Sequence, residues 1–252
     1  MSCPAPHFVV TGCGRSGTKF TAEVLGQLGC ATGHEQVFDP PLRGVPDFGD
    51  RHGDVSWAAV PLLDRLPAGT VVLHQVRSPL GVIRSVVDFG IASQELGFSW
   101  RHDVARRGVV AIEAAARAVG LPAQRRSGSL LEYRRMTAAF RPHVFDAATA
   151  TGRAARYWVD WNEAVEEGAR RGGHRYRRYQ LEALSGPLLA ELLAEVGHDV
   201  DAAACQEALD RVPHDTNRRA VHASITWSDL PAEERTEVQR LAAHYGYAVD
   251  AG

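Results

Sequence analysis

The chain has 252 residues, 45% of them hydrophobic and 23% charged, with a formal net charge of -2. That length suits one large α/β domain and hardly two, and the composition is that of an ordinary globular protein. The charge balance excludes the basic surplus of non-specific nucleic-acid binding, and no stretch reaches the ~20 apolar residues of a membrane span.

Cys3, Cys13, Cys30 and Cys205 form no CxxC pair and have no neighbouring His at zinc spacing. They read as buried or incidental thiols of a reducing compartment. The start, MSCPAPHFVVTG, lacks the basic region and long apolar run of a signal peptide, so a cytoplasmic protein is expected. Lys19 is the single lysine. A coding bias toward Arg accounts for this, and Arg can stand where a relative would use Lys.

In chain order, His7–Thr11 (HFVVT) is an apolar run that breaks into glycines, as a buried strand would. Phe20, Val24, Leu25 and Leu28 then follow helical spacing. Cys30–Asp39 reads as a short strand or loop, PPLRGVPDFGDRHGD as a connection, and Ser56–Leu66 as a helix. Thr70–Val76 (TVVLHQV) is a second buried strand, with Ser78 and Pro79 placed as N-cap and first residue of the next helix. Residues 91–152 read as Arg-rich helix and loop, and Tyr157–Arg170 as an amphipathic helix. His174–Tyr179 reads as a late or edge strand, and Pro187–Val196 and Pro231–Tyr245 as closing helices. The expected architecture is a central parallel sheet with helices on both faces, P-loop NTPase-like, in a single domain over 1–252. A helical acceptor-binding region is expected over about 91–156.

The stretch TGCGRSGTKF, Thr11–Phe20, has the glycine spacing of a phosphate-binding loop, but Thr18 precedes Lys19. A nucleotide-hydrolysing loop ends the other way round, with Lys on the phosphates and Ser or Thr on Mg²⁺. Converging backbone N–H groups and a helix N-terminus still favour an anion there. After TVVLHQV come Arg77 and, eight residues on, Ser85. If both strands are parallel, Arg77 leaves the sheet at the same edge as the loop, and the pair reads as a second phosphate clamp.

GCGRSGT followed by VRSPLGVIRS resembles the two cofactor signatures of the sulfotransferases that use 3′-phosphoadenosine 5′-phosphosulfate, PAPS. The resemblance is good to about Phe89 and returns near Tyr179. It implies that Gly14, Arg15, Ser16, Gly17 and Thr18 hold the 5′-phosphosulfate, and that Arg77 and Ser85 hold the 3′-phosphate. Arg15 then stands on the bridging oxygen, where negative charge grows as the S–O bond breaks. Lys19 is counted with the loop, though it can simply face solvent. Phe20 falls where an aromatic meets adenine, and a helix-core role suits it equally. Tyr179, in RYRRYQLEALSGP, is a second adenine candidate or an ordinary strand tyrosine, with Gln180 and Glu182 departing from the family pattern. A basic lid near DTNRRAVH offers Arg218 or Arg219 to the 3′-phosphate.

The acceptor needs a base, and TGHEQVFD offers two. Glu35 sits where bacterial and tyrosine-directed members carry a glutamate, and an adjacent anionic sulfate would raise its pKa. His34 is the fallback, matched in pKa already. His74 reads as a packed strand histidine; Trp158, Trp161 and Asn162 either line the acceptor pocket or pack.

The resemblance implies sulfuryl transfer from PAPS to a hydroxyl or amine, with PAP as product and no metal. A small P-loop kinase is the alternative, disfavoured by the residue order at Thr18 and by the lack of an Asp at the end of TVVLHQV. A non-catalytic binder of bisphosphate nucleotides is the third reading. Partners would be a small-molecule or carbohydrate acceptor, acidic or polyhydroxylated if the arginines matter. The sequence leaves the acceptor's identity open, and equally whether the chain forms a homo-oligomer.

Overall fold

A computed structural model describes residues 6–38, 46–92, 130–213 and 224–249. Five strands form one sheet: β1 (Phe8–Thr11), β2 (Thr32–His34), β3 (Gly53–Val55), β4 (Val71–Val76) and β5 (Arg175–Gln180). Their order is β2-β3-β1-β4-β5, and every adjacent pair runs parallel. Parallel neighbours need crossovers. Among the described residues α1 (Thr18–Gln27) lies between β1 and β2; α2 (Pro79–Phe89), α3 (Leu130–Phe140) and α4 (Ala150–Arg171) lie between β4 and β5; and α5 (Gly186–Glu195), α6 (Ala202–Arg211) and α7 (Ala232–His244) follow β5.

Strand side chains alternate between faces, so each strand feeds two cores. Phe8, Val10, Val71 and Leu73 meet Val24 and Leu25 of α1 and Leu189, Leu192 and Leu193 of α5. Val9, Val72 and Val76 meet Val82, Ile83 and Val86 of α2, Trp158 and Trp161 of α4, and Leu241 of α7. The α/β expectation therefore holds, with helices on both faces. β4 is buried along its whole length, as a central strand must be. β5 is exposed over Arg175–Arg177, and such arginines blunt an open edge.

Three local expectations are corrected. The Pro/Gly/Asp-rich connection runs into β3 at its last two residues, a strand three residues long that pairs with both β1 and β2. Trp57–Arg65 is a 3₁₀ segment rather than an α-helix, with Pro61 inside it; proline lacks the N–H an α-helix needs there. Helix α6 was not anticipated, although Asp201 caps it by accepting from Ala203 and Ala204 N–H. Of the region expected to be helical over 91–156, residues 93–129 lie outside the described residues; α3, a 3₁₀ turn at Pro142–Asp146 and the start of α4 fill the rest. No helix among the described residues is long and apolar enough to cross a membrane.

Candidate functional site

In an open parallel sheet the carboxyl ends of the strands make the ligand crevice, where the chain turns from one side of the sheet to the other. Here β1 sits centrally, and the chain leaves it toward β2 before returning across it to β4. The glycine loop follows β1, Glu35 follows β2, and Arg77 follows β4, so all three gather at one edge.

The loop runs from Gly12 to Gly17, where Gly17 takes φ 96 immediately before α1. A Cβ at Gly12 would lie 2.1 Å from the Gln75 carbonyl oxygen, so the loop lies directly on β4. Gln75 is the strut beneath it. Its Nε2 donates to the Ser16 carbonyl at 2.7 Å, while its Oε1 accepts from the Thr21 and Tyr179 hydroxyls. A buried amide satisfied on both ends fixes the loop's height above the sheet.

The two predicted clamp motifs meet at Arg15. Its backbone is left-handed, φ 75, which is costly for a residue with a Cβ. Its Nε donates to Ser85 Oγ at 2.9 Å, its guanidinium lies 4.9 Å over the Phe89 ring, and its carbonyl accepts from Arg77 Nη1 at 3.0 Å. The Arg77 carbonyl in turn accepts from Trp158 Nε1 at 3.2 Å. Loop, Arg77 and Ser85 are therefore one connected unit. Arg15 thereby ties the loop to the second clamp through Ser85 and Arg77.

Two amides of the loop are engaged within the protein, the Ser16 amide among those expected to cradle a phosphate. Gly14 N–H donates to the Tyr157 hydroxyl at 2.8 Å, and Ser16 N–H to the Cys13 carbonyl at 3.1 Å. Ser16 Oγ, by contrast, is fully buried without a hydrogen-bond partner among the described residues. An orphaned hydroxyl beside a helix N-terminus suits an anion's oxygen. The Ser78 N–H, where the sequence suggested a side-chain cap, donates to Glu182 at 2.8 Å instead.

Glu35 also adopts a left-handed backbone, φ 54, and its N–H donates to the Val55 carbonyl. The turn after it is held by Asp54 of β3, whose carboxylate accepts from the Gln36, Val37 and Phe38 amides at 3.2 to 3.4 Å. Burial raises the Asp54 pKa against the pull of those amides. The Glu35 carboxylate is buried, 3.4 Å from the Tyr133 hydroxyl that donates to it and 3.9 Å from His34 Nε2. Tyr133 stacks on Trp57 at 4.0 Å. Burial and the Glu35 charge push its pKa up, so the phenol keeps its proton.

His34 was expected to titrate near its ordinary value. Burial, aided by the Lys19 charge, lowers it to about 4 instead, which makes it neutral and a weaker base than free imidazole. Lys19 itself is exposed and pairs with Glu23 at 3.6 Å. Phe20 packs half-buried against the α1/α5 core. Tyr179 is buried behind the loop on Gln75 rather than presenting a face to the crevice. Arg218 and Arg219 lie outside the described residues.

The strand histidine, His74, is buried between the Tyr176 hydroxyl at 2.7 Å and Asn162 Oδ1 at 2.9 Å, and burial lowers its pKa to about 3. Trp158, Trp161 and Asn162 are fully buried and pack, so they do not line an acceptor pocket. The sequence reading missed Gln75, Asp54, Tyr133 and Tyr157. Tyr157 lies 143 residues from the amide it meets, and no local pattern marks such a pair.

No family model and no curated protein matches the sequence. Among solved structures, the chain is similar to one described as the sulfotransferase domain from the curacin biosynthetic pathway. Identity is 13% and the TM-score 0.46, over 99% of this chain and 100% of that one. A likeness that faint says nothing about activity, and the fold stands on the sheet topology given above.

Proposed function

We propose that the chain is a sulfotransferase, moving a sulfuryl group from PAPS to an acceptor hydroxyl or amine. The observation that carries this reading is the junction at Arg15. The phosphate loop and the Arg77–Ser85 clamp, separate in sequence, share hydrogen bonds of 2.9 and 3.0 Å through one residue. Two linked anion sites at one sheet edge suit a nucleotide phosphorylated at two positions. The orphaned Ser16 hydroxyl suits an anionic oxygen at the first.

Glu35 is the base. As the acceptor oxygen or nitrogen bonds to sulfur, Glu35 takes its proton, and the bond from sulfur to the bridging oxygen breaks. The electron pair leaves with the 3′,5′-bisphosphate, PAP. Arg15 and the amides at the start of α1 stabilise that charge. The left-handed backbone at Glu35, the Asp54-held turn and the Tyr133 hydroxyl position the carboxylate. No metal is required, because a sulfuryl group carries less charge than a phosphoryl group.

The alternative of a small P-loop kinase would need a carboxylate on Mg²⁺. Asp54, the acid on β3, is committed to three backbone amides. Thermal shift separates the two readings. PAP should stabilise the protein in EDTA while ATP·Mg²⁺ leaves it unchanged; the reverse result would establish the kinase. Glu35→Gln should lower sulfate transfer by on the order of 10²–10⁴-fold with PAP affinity retained. Transfer undiminished in that variant removes Glu35 from the mechanism, and no transfer by the wild type to any acceptor leaves a PAP-binding protein.

A further inference from the structure

Helix α4 sends one side chain against the main chain of the phosphate loop. Tyr157 is fully buried, its ring packs tilted on Trp161, and its hydroxyl accepts the Gly14 N–H at 2.8 Å. Glycine is required at position 14, because a Cβ there would lie 2.6 Å from the Tyr157 hydroxyl and 3.0 Å from the Tyr133 ring. Ring and loop are therefore fixed against each other, and only the hydroxyl proton can still turn.

A tyrosine hydroxyl both accepts and donates. Tyr157 accepts from Gly14, but its own proton finds no acceptor among the described residues. Ionisation offers no escape, since burial above all pushes the phenol pKa well up and keeps the proton in place. A buried donor without an acceptor carries the full desolvation penalty of that group, and native structures hold few of them. Ser16 Oγ, on the same loop, is a second fully buried hydroxyl, and it has no partner at all. Two unspent hydroxyls thus stand at a strand-to-helix loop that favours an anion. The Gly14 N–H also polarises the Tyr157 hydroxyl, which makes it a stronger donor.

We propose that Tyr157 is a further catalytic residue, whose hydroxyl donates a hydrogen bond to the 5′-phosphate of the bound nucleotide. This inference rests on the sulfuryl-transfer reading. The proton stays on Tyr157 throughout. As the bond from sulfur to the bridging oxygen breaks, the electron pair remains on that oxygen and the 5′-phosphate gains negative charge. The hydrogen bond from Tyr157 strengthens with it. One oxygen then serves twice, holding the loop through Gly14 and the leaving group through its proton.

The test compares PAP with adenosine 3′-phosphate, which lacks the 5′-phosphate, by calorimetry on the full-length protein. Tyr157→Phe should weaken PAP binding by on the order of 10- to 100-fold, lower kcat with PAPS, and leave adenosine 3′-phosphate unaffected. Equal losses for both ligands would give the hydroxyl a purely structural role, and no loss for either would remove it from the site; each overturns the proposal. 3-Fluorotyrosine incorporated at position 157 separates donor from acceptor, because its more acidic hydroxyl donates better and accepts worse. PAP should then bind a few-fold more tightly; unchanged or weaker binding also overturns the proposal. If Tyr157→Phe does not fold, the fluorotyrosine protein decides alone. Wild-type protein that fails to bind PAP takes down the sulfuryl-transfer reading and this inference with it. Wild-type binding with indifferent variants sinks this inference alone.

Discussion

The two faces of the sheet are built from different materials. The face under α1, α5 and α6 is mainly aliphatic, with Val24, Leu25, Leu189, Leu192 and Leu193 closing on Phe8, Val10 and Leu73. The face under α2, α4 and α7 is aromatic and polar. There His74, Asn162 and Arg153 are buried with Tyr157, Trp158 and Trp161. Arg153 is satisfied by the Ala92, Ala147 and Ala148 carbonyls. Aliphatic packing is tolerant and directionless, whereas buried hydrogen bonds fix orientation and leave costly orphans if disturbed. The candidate site is held mainly from the second face, where Tyr157 takes the Gly14 amide and Trp158 the Arg77 carbonyl, with Gln75 bracing the loop from the first through Thr21 and Tyr179. Apart from that strut, the first face supplies stability in bulk and the second supplies stability tied to geometry.

Four substitutions sharpen or break that contrast. Leu192→Ala on the aliphatic face should cost about 2–5 kcal/mol in denaturant unfolding, while PAP affinity of the folded protein stays unchanged. A matching loss of affinity would mean that the faces are not separable.

His74 tests the polar face through pH. Its pKa falls from 6.5 to about 3 on folding, so the unfolded chain binds a proton that the native protein refuses. Its contribution is present above pH 6.5 and lost as pH falls toward 3. His34, lowered to about 4, acts in the same direction. His74→Asn should flatten the fall in unfolding free energy across that window; equal slopes for variant and wild type would exclude His74 as a contributor.

Tyr133→Phe removes one long hydrogen bond from Glu35. It should lower kcat several-fold, near 1 kcal/mol, with KM and melting temperature little changed. Lys19→Ala is the smallest, within about 0.5 kcal/mol and without effect on PAP binding, because Lys19 is paired outward with Glu23. A large loss of PAP affinity would return Lys19 to the loop.

Strands with continuous apolar runs were legible, as were the loop after β1 and the Arg77 turn, because strand, glycine and helix follow one another locally. β3 was not, since GDV is three residues among turn formers and gains its order only from the neighbours it pairs with. α6 carried a readable Asp201 cap, but its buried residues are Cys205, Ala208 and Leu209, mostly too small to stand out as an apolar stripe. At the site, charged residues could be picked by type and spacing, and the parts that hold them could not. Gln75, Asp54 and Tyr157 act on backbone groups far away in sequence, and pairing of that kind leaves no periodicity.

The positive φ of Glu35 has an evolutionary consequence. A long acidic side chain is a poor occupant of that conformation, and asparagine a comfortable one. Glu35→Asn should therefore melt no lower than the parent, and even higher, while losing the sulfate transfer proposed to depend on that carboxylate. If that proposal holds, lineages released from selection for turnover would drift toward Asn or Gly at position 35, leaving sturdy, disarmed copies of the same fold.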